Sequence, residues 1–359
     1  MTGTARPAHR RGRRALGGLL SVALVAGVFF WFLPQFTSLS AVCSSVRAMS
    51  WLELTVLAVA AGWNLATYQF VMVATTPGLR LRQAFVSTET TTAVSNTVIG
   101  GAAISLGLTY AMNSSWGFSR SRTSVALLVS GLWNNFAKLG LPVLALALLA
   151  LSAPPSAGRI TAGLLGLLAL VASVVLLGAL LRSREGAERI GRVAGRVASA
   201  LRRPLGRGPV TGWERATTKF RDRTALLLRA RWHWITLATL VSHLSLFLVL
   251  LLCLRFVGVD GDQVSVVEAL AVFAFARLLT AVPFTPGGLG VIELALITGM
   301  AAAGGPRANV AAAVLVFRAL TYVLPIPIGL GTYLFWRHNR SWRREPNSAP
   351  RTALVPESV

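Results

Sequence analysis

Six apolar runs divide this chain, at residues 15–33, 51–74, 124–151, 160–181, 232–257 and 310–336. Each has about the length needed to cross a hydrocarbon core as a helix, roughly 20 residues. Two other stretches break the pattern. Residues 83–112 open with Gln83-Ala-Phe-Val-Ser-Thr-Glu89-Thr-Thr-Thr-Ala-Val-Ser-Asn96, too polar to face lipid, and continue through Gly100-Gly101-Ala102-Ala103. Residues 264–305 are apolar but interrupted by Pro283-Phe-Thr-Pro286-Gly287-Gly288-Leu-Gly290-Val-Ile-Glu293. Proline removes a backbone donor and clashes with the preceding helical turn. Backbone released from a helix must then find partners in protein or a water-filled cavity, because lipid offers none. The pattern therefore predicts an all-α polytopic membrane protein with about six full transmembrane helices and two re-entrant broken-helix hairpins.

Composition agrees. Apolar residues make up 54% of the 359 and charged residues 13%, about half the share usual in soluble domains. The net charge of +23 invites a nucleic-acid reading, but the basic residues sit between or beside the apolar runs. Arg6, Arg10, Arg11, Arg13 and Arg14 precede the first run, residues 182–231 are dense in arginine, and Arg337, Arg340, Arg343 and Arg344 follow the last. That is the distribution of cytoplasmic segments in a membrane protein. Such segments attract anionic lipid headgroups, so the expected partners are membrane lipids and not nucleic acid. The N-terminus has the basic-then-apolar form of a signal peptide. Its apolar run exceeds the about 7–15 residues of a signal core and no small-residue cleavage site follows, so an uncleaved anchor is expected.

Charge placement also orders the topology. A cytoplasmic arm (1–14) leads into a first membrane half (15–181). A basic cytoplasmic loop (182–231) separates it from a second half (232–336), and a basic, largely disordered cytoplasmic tail (337–359) completes the chain. Arg80, Arg82, Arg120 and Arg122 place both ends of 83–112 inside; Asp260 and Asp262 place both ends of 264–305 outside. Each half then holds a helix, a re-entrant hairpin and a helix in opposite orientation. Inverted repeats with discontinuous helices are the pattern of alternating-access transporters. Within the loop, Ile190, Val193, Val197 and Leu201 recur at helical spacing among arginines, reading either as an amphipathic interfacial helix or as a solvated linker. The termini are expected in the cytoplasm and the protein in the plasma membrane.

Few polar residues fall within the apolar zones. Glu53 and Glu268 lie near helix starts, and His243 reads as a hydrogen-bonded packing residue. Asn134 and Lys138, four apart on one helix face, either form a polar seam between helices or line a substrate path. Arg277, Glu293 and Arg318 are harder to place, because an unpaired charge in a bilayer costs several kcal/mol (of order 2–4). The hairpin can bring Arg277 and Glu293 together across the break, and Arg318 shares a face with Tyr322. Two arginines and one carboxylate leave a spare positive charge suited to a phosphate headgroup; the alternative is a structural salt-bridge network. Asn96 marks the turn of the first hairpin. Cys43 and Cys253 form neither a disulfide framework nor a metal set, the four histidines lack ligand spacing, and no hydrolase or P-loop motif is present. No enzyme activity, metal or cofactor is expected.

The motif at 283–293, followed by Val316-Phe-Arg318-Ala-Leu-Thr-Tyr322-Val-Leu-Pro325, resembles the lysylphosphatidylglycerol synthase transmembrane region, a flippase-like integral membrane family. Ser95-Asn96-Thr-Val-Ile99-Gly100-Gly101 and Gly107-Leu-Thr-Tyr110 are also similar, and the likeness spans about 15–340. It places Arg277, Pro286, Gly287, Gly288, Glu293 and Arg318 on the family motif. Ile99 stands where many relatives have proline, which implies a less sharply broken first hairpin. The soluble aminoacyl-transferring domain of the full synthases has no counterpart in these residues. The resemblance implies a lipid flippase or transporter acting on an aminoacylated phosphatidylglycerol, a polyprenyl phosphate or a glycolipid, without synthesis. The alternative is a non-transporting subunit that docks a cytoplasmic lipid-modifying enzyme through residues 182–231.

Overall fold

The computed structural model describes residues 44, 46–98, 100–152, 157–182, 185, 213–280, 288–339 and 341–342. The arm at 1–14, the first apolar run, Cys43, Ile99, the amphipathic stretch from Ile190 to Leu201, the break residues Pro283, Pro286 and Gly287, and the tail after Trp342 lie outside them. In chain order the helices are α1 (Trp51–Thr75), α2 (Leu81–Thr97), α3 (Gly101–Ser115), α4 (Arg120–Ser152), α5 (Ala157–Arg182), α6 (Trp213–Phe256), α7 (Val266–Leu279), α8 (Val291–Ala302) and α9 (Arg307–Arg318). A π-helical segment, Ala319–Val323, then joins α9 to α10 (Pro325–His338). No strand occurs among the described residues. Among the described residues, four continuous helical stretches are long and apolar enough to cross a membrane: Trp51–Thr75, Arg120–Leu151, Thr217–Phe256 and Arg307–His338. On α5, Leu164, Leu165, Leu168, Val175 and Leu176 are exposed, the surface expected of a helix that meets lipid.

Local chemistry explains several boundaries. At the start of α1 the Ser50 backbone N–H donates to Glu53 Oε2 at 2.7 Å, and the Glu53 N–H donates back to Ser50 Oγ at 3.3 Å. Ser265 and Glu268 form the same reciprocal cap on α7, at 2.9 and 3.2 Å. Both carboxylates thus satisfy orphan donors at helix N-termini. Helix α6 begins well before the apolar run at 232. Its 44 residues make it roughly 66 Å long, about twice the hydrocarbon thickness. The end carrying Arg221, Arg223, Arg229 and Arg231 therefore projects beyond the apolar zone.

Two helical hairpins interrupt the long helices. In the first, α2 ends at Thr97 and Gly100 adopts φ +73°, which turns the chain into α3. A Cβ on Gly101 would lie 2.3 Å from the Val94 carbonyl oxygen, so only glycine fits there. The two arms fold back on each other, with Ser95 Oγ and Ser105 Oγ 2.8 Å apart and Ser105 donating to the Thr91 carbonyl at 2.7 Å. The chain therefore reverses sharply between α2 and α3, with glycine at 100 and 101. In the second hairpin, α7 and α8 pack together; Gly288 and Gly290 hold φ of +70° and +80° just before α8.

Packing between the halves follows an exchange pattern. Helix α1 lies along α6, α2 along α10, and α7 along α4. Swapping the halves maps the first pair onto itself and the other two onto each other. Helices α1 and α6 run antiparallel: Asn64 meets Ser245 at 2.9 Å, while nearer the other end Arg231 reaches the Val73 carbonyl at 3.5 Å. Helices α2 and α10 also run antiparallel, with Thr90 and Thr332 hydroxyls 2.9 Å apart. Their backbones nearly touch at Gly329, where a Cβ would fall 2.2 Å from the Glu89 carbonyl oxygen and 2.4 Å from Ala93 Cβ. Gly329→Ala is expected to lower stability by about 1–3 kcal/mol through overpacking, read as thermal unfolding in detergent. Gly331→Ala, with nothing within 4 Å of the added carbon, is expected to leave it unchanged.

Candidate functional site

Glu293 is fully buried in the first turn of α8, and Arg318, 6% exposed, closes α9. Arg318 Nε donates to Glu293 Oε1 at 2.6 Å. The Arg318 guanidinium carbon also sits 4.3 Å from the centre of the Tyr322 ring, a cation–π contact strengthened where water is excluded. The Tyr322 hydroxyl donates to the Asn96 carbonyl at 2.5 Å, and Asn96 Nδ2 donates to the Tyr322 carbonyl at 3.1 Å. One connected chain thus runs from the second hairpin through the π segment to the turn of the first hairpin. The π segment makes the last link available. In its register the Leu324 N–H bonds to the Ala319 carbonyl, and the corresponding donor for the Tyr322 carbonyl would be residue 327, a proline with no N–H.

Beside this chain lies a polar cavity of about 190 Å³. The first hairpin contributes Thr88, Glu89 and Thr92, and the second contributes Arg277 from the last turn of α7. Helix α1 adds Asn64 and Tyr68, α4 adds Asn134, α6 adds Ser242 and His243, and the π segment adds Thr321. A second cavity of about 70 Å³ adjoins Arg277 and Arg318, so Arg277 stands between two voids. Arg277 Nε makes no hydrogen bond among the described residues. No ion pair joins it to a described carboxylate. Its charge lies within electrostatic reach of Arg318 and Tyr68, and of Lys138 and His243.

The sequence-derived residues divide into two groups. Glu293, Arg318, Tyr322 and Asn96 form the bonded chain. Glu293 takes Arg318 as its partner, and no described ion pair joins it to Arg277. Arg277 and Asn134 line the larger cavity, while Lys138 is buried on α4 one turn from Asn134. His243 is held by Nδ1–H donating to the Thr239 carbonyl at 3.0 Å and also faces the cavity, leaving Nε2 without a described partner. In sequence Glu89 is one polar residue among several. The structure places it 2% exposed, with Oε1 accepting from Gln69 Nε2 at 2.9 Å and Oε2 without a described hydrogen bond. Tyr68 and Gln69 carry no sequence signal of a site, and nothing in their spacing to Glu89 marks the meeting. No group of three or more His, Cys, Asp and Glu able to hold a metal ion occurs among the described residues.

The bonded chain generates a stability prediction. Glu293→Gln leaves the Arg318 charge without its carboxylate and is expected to cost about 3–5 kcal/mol. Tyr322→Phe removes the donor to Asn96 and is expected to cost about 1–3 kcal/mol. Thermal unfolding of the purified protein in detergent reads both, and equal midpoints for the two variants and the parent would contradict the arrangement.

Comparison with protein families matches residues 18–329 to the lysylphosphatidylglycerol synthase TM region. A comparison with curated proteins returned no match. The matched span takes in both hairpins, the buried ion pair and every wall of the larger cavity. The chain is a multi-pass membrane protein and belongs to the lysylphosphatidylglycerol synthase transmembrane-region family.

Proposed function

We propose that this protein is a lipid flippase or transporter of the plasma membrane that moves a phosphate-bearing lipid past the cavity between its two hairpins. The observation that carries the reading is Arg277, a guanidinium on a hairpin end, facing a polar cavity at membrane depth without a described carboxylate partner. Such a charge is costly in a bilayer unless a ligand or partner neutralises it, and a phosphate oxygen pair matches its planar donor fork. The buried charges around it, Lys138 and Arg318 against Glu89 and Glu293, balance in number, so the half-buried Arg277 leaves one positive charge over, which favours an anion.

Cavity size limits what can enter. Drug-sized ligands occupy about 300–1,000 Å³, so a void of about 190 Å³ accommodates a headgroup and not the acyl chains. On this reading the headgroup passes through protein while the tails stay in the bilayer. The hairpins are re-entrant, and the halves are inverted repeats. The antiparallel packing of α1 on α6 supports this, since an axis exchanging two antiparallel helices lies perpendicular to both and hence in the membrane plane. The charge distribution favours cytoplasmic termini. The lipid belongs to the aminoacylated phosphatidylglycerols, polyprenyl phosphates or glycolipids.

Reconstitution tests the site. Proteoliposomes carrying a fluorescent phosphate-bearing lipid are expected to expose the inner-leaflet label to a membrane-impermeant reductant faster than protein-free vesicles. Arg277→Gln is expected to slow this by about tenfold or more, since a hydrogen bond to a charged group contributes about 1.5–3 kcal/mol. An Arg277→Gln protein with parental unfolding and parental lipid exchange would remove Arg277 from the mechanism.

A further inference from the structure

A third cavity, of about 460 Å³, opens where the C-terminal end of α1, the start of α4 and the projecting part of α6 meet. It is separate from the central cavity and shares no lining residue with it. Arg122, Arg223 and Arg231 line it together with Val125, Leu226 and Leu227. None of the three arginines has a described carboxylate within ion-pair distance. The carboxylate nearest in sequence, Asp222, is taken by Arg221 at 2.7 Å. Two of the three have weaker contacts: Arg231 reaches the Val73 carbonyl at 3.5 Å, and Arg122 lies 5.6 Å over the Phe118 ring.

Depth identifies what such a cavity takes. Trp232 and Trp234, 57% and 59% exposed, follow Arg231 directly on α6. Exposed tryptophans mark the headgroup level of a bilayer, and the apolar run of α6 starts at the same point. The three guanidiniums therefore stand at the membrane–water boundary, with Leu226 and Leu227 offering an apolar wall beside them. A free anion uses the arginines but not the wall, and an apolar chain uses the wall but not the arginines. An anionic phospholipid uses both.

We infer that this cavity is a binding site for the phosphodiester headgroup of an anionic phospholipid, held at the interface by Arg122, Arg223 and Arg231. The site is occupied by a resident lipid and is independent of the path through the hairpins. It rests on the membrane placement of the helices and not on the transport reading.

Native mass spectrometry of the full chain in neutral detergent, titrated with short-chain phosphatidylglycerol, tests it. The parent is expected to retain one more phosphatidylglycerol than Arg223→Gln/Arg231→Gln, with an apparent affinity weakened about tenfold or more by the loss of two charged donors. Arg82→Gln, an exposed arginine outside the cavity, is expected to keep that lipid. Inorganic phosphate at matched concentration is expected not to displace it. The proposal is overturned if the double variant binds as Arg82→Gln does. Displacement by inorganic phosphate as effectively as by phosphatidylglycerol would overturn the lipid assignment in favour of a free-anion site. A transport failure in the proteoliposome assay leaves this binding result untouched, so the two readings fail separately.

Discussion

The ion pair between Glu293 and Arg318 is the contact on which the arrangement of this protein turns. A carboxylate with no exposure is sustainable only with a partner of opposite charge and good geometry, and Arg318 supplies both at 2.6 Å. The pair fixes the start of α8 against the end of α9. Arg318 then stacks on Tyr322, and Tyr322 exchanges two hydrogen bonds with Asn96. Four residues from four separate elements therefore set the spacing of the two hairpin ends. The cavity beside them is what remains when those ends are held at that distance.

Hydrogen-bond economy explains why the breaks occur where they do. Lipid cannot satisfy a carbonyl released by proline or by a helix end, so such groups need donors or close packing from within the protein. The Tyr322 carbonyl is served by Asn96 Nδ2, and Gly101 lets α3 begin against the α2 backbone. Among the threonines and serines of α2, which look misplaced in an apolar protein, Thr91 and Thr97 bond carbonyls of their own helix, while Thr90 meets Thr332 of α10 and Ser95 meets Ser105 of α3. Their burial turns an unfavourable lipid-facing sequence into interhelical hydrogen bonds.

Much of this is legible in the amino-acid sequence. Prolines and glycines in an apolar run announce a break, and charges in such a run announce buried partners; Arg277, Glu293 and Arg318 stand out on those grounds alone. Pairing is not legible. Asn96 and Tyr322 are 226 residues apart, and no local period connects them. Hydropathy puts the start of α6 at 232 because it reports the preference of side chains for lipid and not the state of the backbone, which stays helical through the arginines from Trp213. Gly329 looks like any small residue in a membrane helix; its contact with Glu89 belongs to the crossing of two helices from opposite halves. The role of Glu89 is hidden for the same reason, since Gln69 and the cavity reach it only in three dimensions.

The near-contact of backbones at Gly329 also constrains motion. With no side chain between them, α2 and α10 have no compressible layer along which to shear, and the Asn96–Tyr322 exchange pins α2 to the π segment that leads into α10. Two fixed points along a helix pair define a rigid body. A change that widened the central cavity while keeping both contacts would carry the first hairpin and the last helix as one unit.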